Sequence, residues 1–219
     1  MAIAVDPPKR RERGAWIYDH LPAHSHRLLD VGCHGAEDTR TWTDRADQVF
    51  GIDVDPAVFD GAPGVHLSQA SAGLLPFRDA SFDAVTCTEV LEHVPAEIED
   101  DVISEIRRVI TPGGTFLFTV PHHGWFDWLD PMDIKRRLGI RRDKGHKHYS
   151  VEEIERLFAG RFEIVELLRC SAVLHPLSTA LGAGNQGRWM PLREAMSDWD
   201  YRHSFGRAAF NLALVARPI

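Results

Sequence analysis

One short segment, residues 28–39 (LLDVGCHGAEDT), constrains the fold of this chain more than any other part. Its apolar start predicts a short buried strand, and Gly32 and Gly35 predict a tight turn before a helix. A second apolar run, residues 49–52, ends in Asp53. A glycine turn at a helix N-terminus lets a ligand approach the backbone, and an acid after the next strand can bind two ribose hydroxyls. The pattern therefore predicts a site for a nucleoside-containing cofactor.

Strand patterns and helix patterns alternate along most of the chain. Apolar runs predict strands at 27–31, 49–53, 65–69, 82–88, 115–120, 162–168 and 208–216. Periodicity predicts helices at 9–20, at 36–46, at 95–110 with Pro112-Gly113-Gly114 as its stop, and after a capping box formed by Ser150 and Glu153. Alternation at this spacing predicts a parallel sheet with right-handed crossovers.

Composition excludes several classes of protein. The chain has 219 residues, 44% hydrophobic and 26% charged, which is typical of a globular domain. It contains no apolar run long enough for a transmembrane helix, and its first residues lack the apolar core of a signal peptide. The three cysteines are widely spaced without a metal-ligand pattern, so we expect reduced thiols and a cytoplasmic protein.

Charge is unevenly distributed. The net charge of -7 argues against a general nucleic-acid binder. Between residues 135 and 147, however, Lys and Arg greatly outnumber acids. This basic segment is either a solvated surface or a patch that binds an anionic substrate or an acidic surface of the same protein.

Five sequence blocks in a fixed order carry a resemblance to a known family. They are residues 28–33 (LLDVGC), 51–53 (GID), 75–83 (LPF to SFD), 90–94 (VLEHV) and 108–114 (RVITPGG). Over about residues 25–170 the chain resembles the class I S-adenosylmethionine methyltransferases, in particular the type-11 group of small-molecule enzymes. The resemblance implies an α/β fold with a Rossmann-like, seven-stranded, mostly parallel sheet, helices on both faces and an antiparallel last strand. It also implies a single domain over residues 1–219, with insertions at about 121–149 and 171–204 that form a cap on the acceptor side.

The same resemblance implies S-adenosylmethionine as cofactor and S-adenosylhomocysteine as product. Gly32 would approach the methionine part, Asp30 would orient the turn or meet the amino group through water, and Asp53 would bind the ribose. The full set of implied cofactor residues is Asp30, Gly32, Cys33, His34, Gly35, Asp53, Val54, Ser71, Ala72 and Thr88.

Two positions depart from the family pattern. The family turn is usually Gly-x-Gly-x-Gly, whereas this chain has His34 and Ala36 at the second and third glycine positions. His34 must therefore either adopt an unusual backbone conformation or reshape the loop. The adenine segment usually has an aspartate where this chain has Ser71, so its hydrogen bond would lack charge assistance.

Three residues are candidates for the chemistry of methyl transfer, in which an alcohol acceptor needs a base and a neutral amine often does not. His93 lies one turn after Glu89 on the helix expected to follow strand 4, and both would border the mouth of the pocket. His122 directly follows strand 5, at the edge where ligands bind in such sheets. A structural alternative is that His93 only packs against the loop after strand 5.

No metal site is expected, because the acids and histidines of the insertion (Asp127, Asp130, Asp133, His146 and His148) lack tight ligand spacing. The aromatic residues Trp125, Phe126, Trp128, Trp189, Trp199 and Tyr201, together with His203, either cover the acceptor or pack the insertions onto the core.

The predicted function is transfer of a methyl group from S-adenosylmethionine to an oxygen or nitrogen of a small molecule. The basic segment favours an anionic acceptor, while a sugar or a secondary metabolite fits as well. The alternatives are an RNA or protein methyltransferase that uses the basic segment for docking, and a binding protein that keeps the fold without activity. A NAD-dependent dehydrogenase is disfavoured because Gly-x-Gly-x-x-Gly is absent. The sequence gives no prediction of the oligomeric state.

Overall fold

The computed structural model describes residues 12–59, 62–125, 147–171, 195–196 and 199–219. In these ranges the strands are β1 (Ser25–Val31), β2 (Ala46–Asp53), β3 (Val65–Gln69), β4 (Phe82–Thr88), β5 (Ile110–Pro121), β6 (Phe162–Cys170) and β7 (Asn211–Pro218). The α-helices described are α1 (Glu12–His20), α2 (Glu99–Val109) and α3 (Val151–Phe158).

The strands form one sheet in the order β3-β2-β1-β4-β5-β7-β6. Strands β1 to β5 pair in parallel, and β7 is antiparallel to both β5 and β6. The predicted seven-stranded, mostly parallel sheet with an antiparallel last strand is therefore confirmed. The strand order reverses between β1 and β4, and the carboxyl ends of such strands form the usual ligand-binding crevice of an open α/β sheet.

Both faces of the sheet are covered. On one face, Phe116 and Phe118 of β5 pack with residues of α2 and α3, including Ile106 and Phe158. On the other face, Trp16 and Ile17 of α1 belong to a second cluster that includes Leu28 of β1. Burial on both faces explains why the central strands are nearly continuous apolar runs in the sequence.

One helix prediction is wrong, and a second predicted helix begins later than expected. The segment predicted as a helix at 36–46 forms a 3-10 helix at Thr39–Arg45. Its threonines favour α-helix weakly, and the Thr39 hydroxyl donates a hydrogen bond to the Asp30 carboxylate. The helix predicted at 95–110 is split, because a 3-10 turn at Ala96–Ile98 precedes α2.

The glycine stop after α2 is also a wrong prediction. The helix ends at Val109, and β5 begins at Ile110 and runs through Gly113 and Gly114. Gly113 has a φ of 81°, and the Arg217 guanidinium donates to the carbonyl oxygens of both glycines at 3.0 and 3.4 Å. The two glycines are thus part of the irregular start of β5, which hydrogen bonds from Arg217 of β7 hold in place.

The predicted capping box of α3 is confirmed. The Ser150 hydroxyl accepts from the Glu153 N–H at 3.2 Å, and the Glu153 carboxylate accepts from the Ser150 N–H at 2.8 Å. No helix in the described ranges is both long and apolar enough to cross a membrane.

Most residues of the two predicted insertions lie outside the described ranges, among them Phe126, Asp127, Trp128, Asp130, Asp133, His146, Trp189 and the basic residues from 135 to 144. Lys147, the last residue of the basic segment, is within the described ranges. Its ammonium lies 2.6 Å from a Glu99 carboxylate oxygen, so this residue forms an ion pair with an acid of its own protein. Of the aromatic candidates, Trp125 and Trp199 are exposed and Tyr201 is buried.

Candidate active site

A cavity of about 410 Å³ lies at the carboxyl edge of the sheet, beside the strand-order reversal. It is lined by the turn after β1, the end of β2 and the segments that follow β3 and β4. Eight residues predicted from the sequence line it: Gly32, His34, Asp53, Val54, Ser71, Ala72, Glu89 and His93. The volume is in the range of small-molecule sites, and the lining includes apolar side chains such as Ile52 and Ile98.

Gly32 is closely packed against Val90 in the lining. Its φ is 75°, and an added Cβ would lie 2.3 Å from a Val90 methyl carbon. The N–H groups of Gly32 and Cys33 both donate to the Ile52 carbonyl oxygen, at 2.8 and 2.9 Å. The turn is therefore pinned to β2, and only glycine fits its first position without a shift of Val90.

Two non-glycine residues in the rest of the turn have a strained, left-handed backbone. His34 has a φ of 47° and Ala36 a φ of 55°, so the left-handed conformation falls on these residues and not on Gly35. The His34 N–H donates to Asp53 Oδ2 at 2.9 Å, and the Asp55 N–H donates to Asp53 Oδ1 at 3.0 Å. The carboxylate thus stabilises the turn, and each of its oxygens keeps a lone pair for a further donor.

Asp30 lies beneath the turn and is buried. It accepts hydrogen bonds from the Thr39 hydroxyl and, at 2.7 Å, from the Thr86 hydroxyl. Burial raises the pKa of Asp30 to about 6, against the two hydroxyl hydrogen bonds, which lower it. Four of the predicted cofactor residues are absent from the described cavity lining: Asp30, Cys33, Gly35 and Thr88.

Glu89 and His93 lie in the same cavity as the glycine turn. Glu89 has a φ of 55°, and its carboxylate accepts from the Thr119 hydroxyl at 2.8 Å. His93 ends a 3-10 turn at Leu91–His93 and does not lie on the predicted helix. Its side chain is 54% exposed, and Nε2 lies 3.9 Å from an oxygen of the buried Glu92 carboxylate. The 3-10 turn therefore brings a histidine to the rim of the cavity.

His122 lines a different cavity, of about 390 Å³, with Arg169 and Arg207. Its Nδ1 lies 3.0 Å from the Tyr149 carbonyl oxygen, which only accepts, so Nδ1 carries the proton. Burial lowers the pKa of His122, which favours the neutral imidazole with its lone pair on Nε2. The structure thus separates His122 from the cavity that holds His93 and Glu89.

Arg13 is a charged neighbour of the site that the sequence analysis missed, although it is absent from the described cavity lining. It extends from α1, and its guanidinium lies 3.6 Å from the Asp38 carboxylate. Burial lowers its pKa, but the nearby Glu89, Asp38 and other groups outweigh that effect and raise it overall. The signal was the basic start of the predicted N-terminal helix, whose contacts with residues far along the chain are not visible in sequence.

The sheet order, the pinned glycine turn and the acid after β2 define a Rossmann-like protein with a nucleoside-sized cavity at its carboxyl edge. Residues 29–118 match the family model described as a methyltransferase domain. On these grounds the described sheet is Rossmann-like, and residues 29–118, about two fifths of the chain, are similar to that methyltransferase domain family.

Curated relatives include two ubiquinone biosynthesis O-methyltransferases. The protein from Paracidovorax citrulli is 33% identical over 117 residues, which cover 49% of this chain and 48% of the relative. The protein from Burkholderia multivorans is 30% identical over 148 residues, covering 63% of this chain and 62% of the relative. The chain thus spans between about half and three fifths of the length of these relatives.

Solved structures share the fold. The geranyl diphosphate C-methyltransferase from Streptomyces coelicolor A3(2) superposes with a TM-score of 0.68 at 17% identity, covering 94% of this chain and 77% of that one. The cyclase SpnF superposes with a TM-score of 0.63 at 25% identity, covering 94% and 80%. Because one of these two proteins is a methyltransferase and the other a cyclase, the fold alone does not define the reaction.

Proposed function

We propose that this protein transfers a methyl group from S-adenosylmethionine to an oxygen or nitrogen of a small molecule. The observation that carries the proposal is the single cavity that joins the pinned Gly32 turn, Asp53 and Ser71 to Glu89 and His93. The names of the two relatives, both O-methyltransferases, support oxygen as the acceptor atom.

The residues of the cavity fit the cofactor. Gly32 has no side chain where an added Cβ would collide with Val90, so the backbone is open to a close ligand. Asp53 would accept from the ribose hydroxyls, and Ser71 with Ala72 would lie along the adenine. Arg13 lies 3.6 Å from the Asp38 carboxylate, and Glu89 raises its pKa, so its positive charge would favour the carboxylate at the methionine end.

The bound cofactor would supply the reactive sulfonium methyl group, and the protein would align the acceptor and remove its proton. We assign the base to His93, because its imidazole is at the rim of the cofactor cavity and next to the Glu92 carboxylate. Glu89, held by Thr119, would position the acceptor. His122 is the alternative base for an acceptor that extends over β5, since its neutral imidazole leaves Nε2 as an acceptor.

Three further expectations belong to the same proposal. The chain would be a single domain capped by the segments at about 121–149 and 171–204. One described residue of the second segment contacts the sheet: the buried Tyr201 hydroxyl accepts a hydrogen bond from Asn211 of β7 at 2.7 Å. The net charge of -7 favours a small-molecule acceptor over nucleic acid, and Arg169 and Arg207 in the second cavity favour an anionic one. The three buried cysteines are unpaired, which supports a cytoplasmic location.

Calorimetric titration with S-adenosylmethionine and S-adenosylhomocysteine tests cofactor binding, and release of S-adenosylhomocysteine from mixtures with hydroxylated and amino-bearing small molecules tests turnover. His93→Gln should lower turnover by about 100- to 10,000-fold, as expected for loss of a general base, with cofactor affinity preserved. His66→Gln, an exposed histidine on β3, is the matched control and should keep full turnover.

Absence of cofactor binding would contradict the proposal and favour a protein that keeps only the fold. Turnover with RNA or protein alone would favour the macromolecular alternative. If His93→Gln keeps full turnover and His122→Gln loses turnover, the base is His122 in the second cavity and not His93.

A further inference from the structure

Three metal-ligating side chains converge at the amino edge of the sheet, opposite the cofactor cavity. His24 and His26 stand two residues apart where β1 begins, and Asp47 is the second residue of β2. The parallel register pairs Ser25 with Ala46 and Arg27 with Gln48, which places His26 beside Asp47. The cluster is therefore a product of sheet pairing and not of a local sequence motif.

The two imidazoles face one carboxylate. His24 Nε2 lies 3.3 Å from Asp47 Oδ1, and His26 Nδ1 lies 3.0 Å from Asp47 Oδ2. One ligand atom from each of the three side chains lies within 4.8 Å of the others. All three residues are exposed, so an ion can enter and water can complete its coordination.

The backbone that carries these side chains is held in place. The Asp83 carboxylate, from β4, accepts the N–H groups of both His26 and Arg27 at 2.8 and 3.0 Å. Asp47 lies within a paired strand. An ion at this position would therefore bind to two fixed ligands, His26 and Asp47, and the ordering of His24 would be the main entropic cost.

The donor set selects the class of ion. Two imidazole nitrogens and a carboxylate oxygen suit zinc and its neighbours in the first transition row, whereas Mg²⁺ and Ca²⁺ prefer oxygen ligands throughout. For metal–ligand bonds of about 2.0–2.1 Å, neighbouring ligand atoms of a tetrahedral site are about 3.3 Å apart. Each imidazole nitrogen lies near that length from its own Asp47 oxygen, His24 Nε2 at 3.3 Å from Oδ1 and His26 Nδ1 at 3.0 Å from Oδ2, so both oxygens are available to an ion between the rings.

We propose that His24, His26 and Asp47 bind a divalent transition-metal ion of the zinc class, which joins the start of β1 to the start of β2. The site differs from the expectation of no metal, since that expectation rested on spacing along the chain. His24 and His26 are close in sequence, but the third ligand, Asp47, comes from the neighbouring strand, which spacing along the chain does not show.

Titration of the metal-free, tag-free full chain with Zn²⁺ in a calorimeter tests the proposal. We expect one ion per chain at this site, an affinity at least tenfold weaker in His26→Gln and in Asp47→Asn, and no change in His66→Gln. Asp47→His supplies a different third ligand and should retain binding. Mg²⁺ should not compete. Co²⁺ should give visible absorption of a tetrahedral site that is lost in the same two variants.

Circular dichroism of each variant checks its fold, and Asp47→His reports on the site even where Asp47→Asn is unstable. The proposal is overturned if the unaltered chain binds no Zn²⁺, if His26→Gln binds it as tightly as the unaltered chain, or if His66→Gln weakens binding equally. Cofactor binding is not part of the readout, so this result is independent of the proposed methyltransferase activity.

Discussion

The ends of β1 and β2 carry the same residue type in two different environments. Asp30, near the end of β1, is buried and accepts from the hydroxyls of Thr39 and Thr86. Asp53, the last residue of β2, lines the cavity and accepts from two backbone N–H groups. Asp53 thus holds the glycine turn through the His34 N–H, whereas Asp30 connects β1 to β4 through Thr86 and to the Thr39–Arg45 segment through Thr39.

The difference follows from position along neighbouring strands. Asp30 pairs with Gly51 inside the sheet, whereas Asp53 lies two residues further along β2, where the sheet opens. An acid inside the sheet needs side-chain donors to offset its burial, and an acid at the edge keeps lone pairs for a ligand. Asp30 should therefore control stability, and Asp53 should control cofactor affinity.

The largest effect is expected at the turn between the two acids. Gly32→Ala adds a Cβ at a φ of 75° and 2.3 Å from Val90. Backbone strain together with overpacking should lower the free energy of unfolding by about 3–5 kcal/mol and abolish cofactor binding. Urea denaturation and calorimetry measure the two quantities.

Gly160→Ala is the matched control for Gly32→Ala. Its φ is 74°, but nothing lies within 4 Å of an added Cβ. It should cost only the backbone strain, about 1–2 kcal/mol, and leave cofactor affinity unchanged. Equal losses in the two variants would show that the contact with Val90 does not restrict the turn.

The second prediction concerns Asp30 and pH. Its folded pKa of about 6 lies above the ordinary value of 3.8, so the folded state binds more protons than the unfolded state between these two values. The free energy of unfolding should therefore fall as pH rises from 4 to 7, by about 2–2.5 kcal/mol through this residue. Asp30→Asn should remove that loss, because the amide does not ionise.

Urea denaturation at pH 4, 5, 6 and 7 compares Asp30→Asn with the unaltered chain. The difference between their free energies of unfolding should change in favour of the variant as pH rises. Parallel pH profiles would mean that Asp30 is not stabilised in its protonated form by burial.

Much of the sheet could be predicted from sequence, because buried parallel strands are apolar runs in any context. β3 and β4 have the predicted bounds, while β5 begins five residues earlier than predicted. The segment at Thr39–Arg45 could not be predicted, since its form depends on a hydrogen bond from Thr39 to Asp30 and on the burial of Trp42. Local helix propensity does not contain those tertiary contacts.

The candidate site was predictable to the extent that parallel strands end at one edge. That rule brings Asp53, Ser71 and His93 to one cavity although they are far apart in sequence. It does not show which of the two acids lines the cavity. It also does not show that the His34 N–H donates to Asp53, a hydrogen bond that stabilises the left-handed backbone of His34. The contribution of Arg13 depends on how α1 packs, which the strand pattern does not define.

The third prediction is the counterpart of the second. Asp53→Asn keeps the shape of the side chain and an acceptor for the His34 N–H but removes the charge offered to the ribose. Affinity for S-adenosylhomocysteine should fall by about 1.5–3 kcal/mol, or roughly 10- to 150-fold. Glu155→Gln, an exposed acid on α3, is the control and should bind normally. Unchanged affinity in Asp53→Asn would exclude Asp53 as the ribose acid.

The smallest effect is expected at Ser71, where the family usually has an aspartate. The Ser71 hydroxyl accepts from the Gly73 N–H at 3.3 Å, in a turn that the Leu74 N–H closes onto the Ser71 carbonyl at 3.0 Å. Aspartate is favoured at the first position of such a turn and could accept the same N–H. Its second oxygen would then give the adenine amine a charge-assisted acceptor, so Ser71→Asp should tighten S-adenosylhomocysteine binding by about 1 kcal/mol, roughly fivefold. Ser68→Asp adds the same charge on the exposed part of β3 and should have no such effect. If both variants bind equally, the adenine does not contact Ser71, and the nucleoside end of the cavity must be assigned to other residues.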